Sequence, residues 1–177
     1  MKKLYLIRHA KSDWGFSDTR DFERPISQKG KRDLEVMGAL LSLKGIEADM
    51  VLSSCALRTQ ETADNIAKSI EYYKPIHYLE ELYLTTAEQA IDLLMAQDSS
   101  IENLVLVSHN PQIHEVANIL LDEHISKVPT LGIISIELDI DDWSELLTAN
   151  GKLEFFVYPK QFKNYLPKSI RERIFKS

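Results

Sequence analysis

Four side chains in this sequence are of the types that handle a phosphoryl group: Arg8 and His9 side by side, then Arg58, then His109. Arginine presents a rigid fork of N–H donors that matches phosphate oxygens two at a time. Histidine attacks phosphorus as the neutral imidazole, or donates to a phosphate oxygen as the imidazolium. Singly, each residue is commonplace: an Arg-His pair after a strand is usually a loop contact, and a helix-face arginine is usually solvated. Jointly, all four suit one dianionic ligand. Asn110 and the helix start that follows it could add backbone N–H groups and a positive dipole end.

Other chemistries fit less well. The sequence has neither G-x-x-x-x-G-K-[ST] nor H-E-x-x-H. His109 and His114 are five apart, which does not stack them on one helical face for a metal. Asp139, Asp141 and Asp142 read as a solvated acidic turn rather than a cation loop. No metal and no cofactor is expected. Cys55 invites a thiolate reading, but cysteine-based phosphatases place arginine six positions after the thiolate, and Arg58 comes only three after Cys55.

The elements that must position these residues alternate in type. KLYLIR at 3–8 reads as a strand, and Ser27 can cap a helix that runs to about Lys44 and stops at Gly45. Met50–Leu52 reads as a strand, 56–71 as a helix with Leu57, Ala63, Ile66, Ala67 and Ile70 inward, and Ile76–Leu79 as a short strand after Pro75. A helix over 87–97 leads to NLVLV at 103–107, a continuous apolar run of the kind buried on both faces. Pro111 suits the first turn of a helix reaching Leu121, and two late strands, 131–138 and 153–158, are separated by a turn near Asn150-Gly151. Alternation of this kind argues for an α/β protein with a largely parallel sheet. In open α/β sheets ligands bind beyond the carboxyl ends of the strands, and Arg8-His9, Ser53-Ser54 with Arg58, and His109 all fall there.

At 177 residues the chain suits one domain, and 44% hydrophobic with 27% charged residues is ordinary globular usage. A single cysteine excludes an intramolecular disulfide framework, and no apolar run approaches the about 18 residues of a membrane span. With Met1 leading into a charged pair and a strand, no signal peptide is read, and a cytoplasmic protein without a membrane partner is expected. A formal charge of −6 argues against general nucleic-acid binding. Residues 160–177 depart from that balance, with Lys160, Lys163, Lys168, Arg171, Arg173 and Lys176 against Glu172 alone. This basic C-terminal tail is expected to be a helix packed through Tyr165, Leu166, Ile170 and Ile174, within a single domain over 1–177.

Five blocks carry a resemblance: LIRHAKSDW at 6–14, DFERPISQKG at 21–30, SSCALRTQET at 53–62, EELY at 80–83 and VSHNP at 107–111. In this order they resemble the histidine phosphatase superfamily, and within it the SixA type of protein-phosphohistidine phosphatase. The resemblance spans about 1–158 and leaves the tail outside. It implies a three-layer α/β/α sandwich like that of phosphoglycerate mutase. It makes His9 the nucleophile that becomes phosphorylated, with Arg8, Arg58 and His109 completing the phosphate pocket and Arg24 at the site mouth. Two departures are visible: Ala10 stands where the superfamily often has glycine, and Cys55 where many relatives have proline.

The leaving group separates the substrates that such a site could take. Alkyl phosphates expel a strongly basic alkoxide and need a positioned acid. Phosphohistidine expels an imidazole whose conjugate acid has a pKa of about 6.5, so it leaves with far less help. The acid nearest a matching family position is Glu81. The stretch between Arg58 and His109 is too short for the lid of mutase and phytase relatives, which suits a phosphohistidine presented on a protein surface. The expected activity is therefore metal-independent hydrolysis of protein phosphohistidine, releasing inorganic phosphate. A small-molecule phosphomonoesterase, and a phosphate-binding module without turnover, are the alternatives.

Overall fold

The computed structural model describes residues 1–14 and 18–162. Most of the basic tail, and with it the expected terminal helix, lies outside the described residues. The described elements are β1 (Lys2–Arg8), α1 (Gln28–Leu43), β2 (Met50–Ser54), α2 (Leu57–Ser69), β3 (His77–Leu79), α3 (Ala87–Met95), β4 (Asn103–Ser108), α4 (Gln112–Leu120), β5 (Ile133–Leu138), β6 (Gly151–Val157) and α5 (Pro159–Phe162).

Local chemistry explains where they begin and end. Ser27 Oγ accepts from the Gly30 amide at 3.1 Å and starts α1, and Gly45, at φ +63°, ends it. A Cβ on Gly30 would stand 2.3 Å from the Lys11 carbonyl oxygen, so glycine there lets α1 begin against the loop that leaves His9. Thr86 and Gln89 close a capping box at the head of α3. The acidic stretch at 139–142 also ends in a cap: Asp142 accepts from the Ser144 amide at 2.9 Å and opens a 3-10 turn over Trp143–Thr148. That turn fills much of the gap between the two late strands, ahead of the expected turn near Asn150-Gly151, where β6 begins. Its Trp143 is fully buried, with Nε1 donating to the Ile101 carbonyl at 2.8 Å.

The strands form one six-stranded sheet in the order β3-β2-β4-β1-β5-β6. The first four are mutually parallel; β5 runs antiparallel to β1, and β6 antiparallel to β5. Period-2 alternation along the central strands feeds two cores. Tyr5, Ile7, Val51, Val105 and Val107 meet Leu34, Met37 and Leu41 of α1 and Ala63 and Ile66 of α2. On the other face Leu4, Leu6, Leu104 and Leu106 meet Ile91 and Leu94 of α3 and Ile113 and Val116 of α4. The result is the expected three-layer α/β/α sandwich. No helix among the described residues is long and apolar enough to cross a membrane.

Strand order matters more than strand count for the site. Central β4 lies between β2 and β1, whose following helices cover one face, while its own following helix covers the other. The chain therefore diverges above the carboxyl ends of β1, β2 and β4, which opens a crevice there.

Candidate active site

Register brings the end of β1 level with the end of β4, Arg8 opposite Ser108. One step on, the His9 amide donates to the Ser108 carbonyl at 3.0 Å, and the Leu131 amide donates to the Arg8 and His9 carbonyls at 3.1 Å. The next amide, that of the fully buried Ala10, donates to Thr62 Oγ1 at 3.0 Å, while the same hydroxyl donates to the Arg58 carbonyl at 2.6 Å. Thr62 thus ties the His9 loop to α2, which carries Arg58. The methyl group of Ala10 is accommodated without exposure.

The His9 imidazole is almost buried, and its Nδ1 lies 2.7 Å from the Ala10 carbonyl oxygen. A carbonyl only accepts, so Nδ1 carries the proton and Nε2 keeps its lone pair. Burial, chiefly, lowers its pKa to about 4; the Ala10 hydrogen bond opposes this, and Arg58, Arg8 and Arg24 add to it. The ring is therefore neutral at ordinary pH and can act as a nucleophile.

His109 stands with its ring centroid 5.3 Å from that of His9. Its Nε2 is 2.8 Å from Ser54 Oγ at the end of β2, and its buried Nδ1 has no partner. With the serine hydroxyl donating, Nδ1 holds the proton and is left for a ligand oxygen. Burial lowers this histidine to about 3, helped by His9, Arg58 and Arg8 and opposed by Asp21.

The arginines stand beside the two histidines. Arg8 NH1 donates to the Val128 carbonyl at 2.9 Å, and its Nε is buried without a partner. Arg58, 7% exposed, donates from NH1 to the Asp21 carbonyl at 2.6 Å and from NH2 to Asp21 Oδ2 at 3.0 Å. Arg24 lies further out, over the Trp14 ring at 3.8 Å, with NH1 donating to Asp21 Oδ1 at 2.9 Å and NH2 to Ser12 Oγ at 2.7 Å. Asn110 spends its side-chain amide N–H on the same Val128 carbonyl as Arg8, at 2.9 Å.

Glu81 sits exposed in a 3-10 turn over Glu80–Leu82, lining a surface groove with Tyr83, Leu84, Gln89 and Asp92. It is not among the charges that act most strongly on either histidine. Cys55 is buried, and burial pushes its thiol up, which disfavours a thiolate. Among the described residues, no group of three or more His, Cys, Asp or Glu could hold a metal ion.

The structure also brings in three residues to which sequence reasoning gave no role. Ser54 orients His109, Tyr83 stands edge-on to it at 5.8 Å, and Asp21 joins Tyr83, Arg24 and Arg58. Asp21 and Tyr83 both lie within the blocks quoted above, but their partners are 37 and 62 residues apart in sequence.

Comparison with known proteins gives the family and the fold. The family model described as histidine phosphatase superfamily (branch 1) matches residues 4–83, which hold Arg8, His9 and Arg58 and stop short of His109. An uncharacterised protein of Mycobacterium leprae is 30% identical over 166 residues, covering 87% of this chain and 100% of that protein. The crystal structure of SixA from Agrobacterium tumefaciens superposes with a TM-score of 0.78 at 26% identity, covering 89% of this chain and 98% of that one. The protein histidine phosphatase SixA in complex with tungstate shares the fold at a TM-score of 0.78, with 21% identity over 91% of this chain and 99% of that one. A family match on the Arg-His strand end, a relative spanned from end to end and a shared sandwich fold agree: the chain belongs to the histidine phosphatase superfamily.

Proposed function

We propose that this protein is a metal-independent phosphatase that removes the phosphoryl group of a protein phosphohistidine by way of a phosphorylated His9. The observation that carries the reading is the state of His9: its Nδ1 proton is committed to Ala10, the ring is neutral so that Nε2 keeps its lone pair, and two arginines flank it. In the first step Nε2 attacks phosphorus in line, and the bond from phosphorus to the substrate imidazole breaks, the substrate ring leaving as neutral imidazole because its other nitrogen already carries a proton. In the second, water attacks phospho-His9, its proton passing to the phosphoryl oxygens, and inorganic phosphate leaves with Nε2 restored. Arg8, Arg58 and the Nδ1–H of His109 hold the charge that spreads over the phosphoryl oxygens, as preorganised donors rather than as new bonds.

Substrate choice follows from the leaving group. The departing imidazole needs no positioned acid when its other ring nitrogen already carries a proton. Residues between Arg58 and His109 are taken up by α2, β3, a 3-10 turn and α3, with no insertion that could form a separate lid. Arg24 meets the substrate at the mouth, while Asn110, its amide spent on Val128, acts on the Arg8 side of the pocket. Glu81 is the proton donor for those substrates that need one.

Glu81→Gln decides between substrates. Its kcat/KM on a phosphohistidine protein should stay within about twofold, while alkyl phosphates should lose about 10²–10⁴-fold. A large loss on phosphohistidine itself would move the reading to a general phosphomonoesterase. Turnover should also persist in EDTA; complete loss, restored by a divalent ion, would overturn metal independence.

A further inference from the structure

The loop that leaves β1 brings Asp21 back across the pocket. Its carboxylate gathers donors from three segments: Arg24 NH1 at 2.9 Å in its own turn, Arg58 NH2 at 3.0 Å from α2, and Tyr83 OH at 2.9 Å from the turn after β3. Its main-chain carbonyl accepts from Arg58 NH1 at 2.6 Å, so both terminal nitrogens of one guanidinium are tied to one residue. The Arg58 side chain is 8% exposed and that of Asp21 49%, so an acid reaches in from the rim to an otherwise buried arginine. The Tyr83 ring that donates to Asp21 also packs edge-on against Phe22 at 5.2 Å and His109 at 5.8 Å.

We propose that Asp21 is a positioning residue for phosphoryl transfer: it clamps the Arg58 fork and the Tyr83–His109 pair in the geometry of the transition state, while weakening ground-state binding of phosphate. This rests on His9 being the phosphoryl acceptor. Two effects of opposite sign meet here. A carboxylate beside Arg58 offsets one positive charge and repels an incoming dianion, which loosens binding. Against that, an arginine on a long flexible stem must be aimed before reaction, and misplacement by about 1 Å can slow a reaction about 10²-fold. Each terminal nitrogen spends one N–H on Asp21, so the orientation of the guanidinium fork is fixed by that residue. Burial would raise the Asp21 pKa, but hydrogen bonds from Tyr83 and Arg24 and the Arg58 charge bring it down to about 2, so the clamp is ionised at any working pH.

The test compares Asp21→Asn with the wild-type protein in two measurements. One is the single-turnover rate of phosphoenzyme formation at saturating phosphohistidine peptide; the other is binding of inorganic phosphate by calorimetry. Asp21→Asn should form the phosphoenzyme about 10- to 100-fold more slowly. It should bind phosphate more tightly than wild type, by about two- to tenfold, and unchanged affinity would overturn the ground-state half of the proposal. Tyr83→Phe, which removes one of the three donors, should show the same split at about two- to fivefold, and carries the decision if Asp21→Asn does not fold. An unchanged rate, or rate and phosphate affinity falling together, would overturn the clamp. A wild-type protein that forms no phosphoenzyme would overturn the reading of the whole site, and the clamp with it.

Discussion

His9 and His109 end neighbouring parallel strands at nearly the same level, both are largely buried, and burial lowers both. They differ in which nitrogen is held. His9 is gripped through Nδ1 by the carbonyl of its own neighbour, which leaves the lone pair on Nε2. His109 is gripped through Nε2 by Ser54, a residue from another strand, which leaves Nδ1 buried without a partner. A carbonyl dictates the proton's place, whereas a hydroxyl can donate or accept. Under the proposed mechanism, one residue type in one kind of environment thereby serves as the nucleophile on one strand and as a donor on the next. Role follows from the second nitrogen.

The largest test of that difference is His9→Ala. Without Nε2 no phosphoenzyme should be trapped by acid quench, and turnover should fall by roughly 10⁴-fold or more, as when a covalent nucleophile is removed. Trapping the label on another residue would break the comparison outright. His109→Ala removes a donor and not the acceptor, so it should lose about 10²–10³-fold and still accumulate label on His9. An equal loss in both variants would mean that the two rings do the same job.

The pH profile sharpens the comparison further. Protonating Nε2 removes the attacking lone pair, so activity is lost on the acid side. Since His9 is lowered to about 4, kcat/KM on a non-titrating substrate should hold from pH 7 to below 5 and fall as pH drops through about 4. An ordinary imidazole with a pKa of about 6.5 would already be down about thirtyfold at pH 5. An acid limb near that ordinary value would contradict the burial described here. The smallest effect belongs to Ser54→Ala, which frees His109 Nε2 and lets its proton choose either nitrogen. A loss of about three- to tenfold is expected, the size of one hydrogen bond, with His9 labelling intact.

Much of this protein is dictated by residues close together in the chain. Short apolar runs set out the strands, Ser27 and Gly45 bracketed α1 by capping chemistry, and strand-to-helix alternation implied an α/β protein with a largely parallel sheet. Placing Arg8-His9, Arg58 and His109 after strands followed from the same local patterns, and the crevice rule predicted that they would converge. The antiparallel entry of β5 beside β1, the 3-10 turn around the buried Trp143, and the position of β4 between β2 and β1 were not legible, because pairing partners are chosen across the whole chain. The finer chemistry of the candidate site was hidden for the same reason. Burial of the imidazoles, the grip of Ser54 on His109 across 55 residues, and that of Asp21 on Arg58 across 37 arise only when distant segments meet. Even the bond from His9 to the adjacent Ala10 carbonyl depends on a loop held in place by Thr62 from α2. Residue types are local information, but protonation state and side-chain aim depend on the electric field and contacts of everything folded around them.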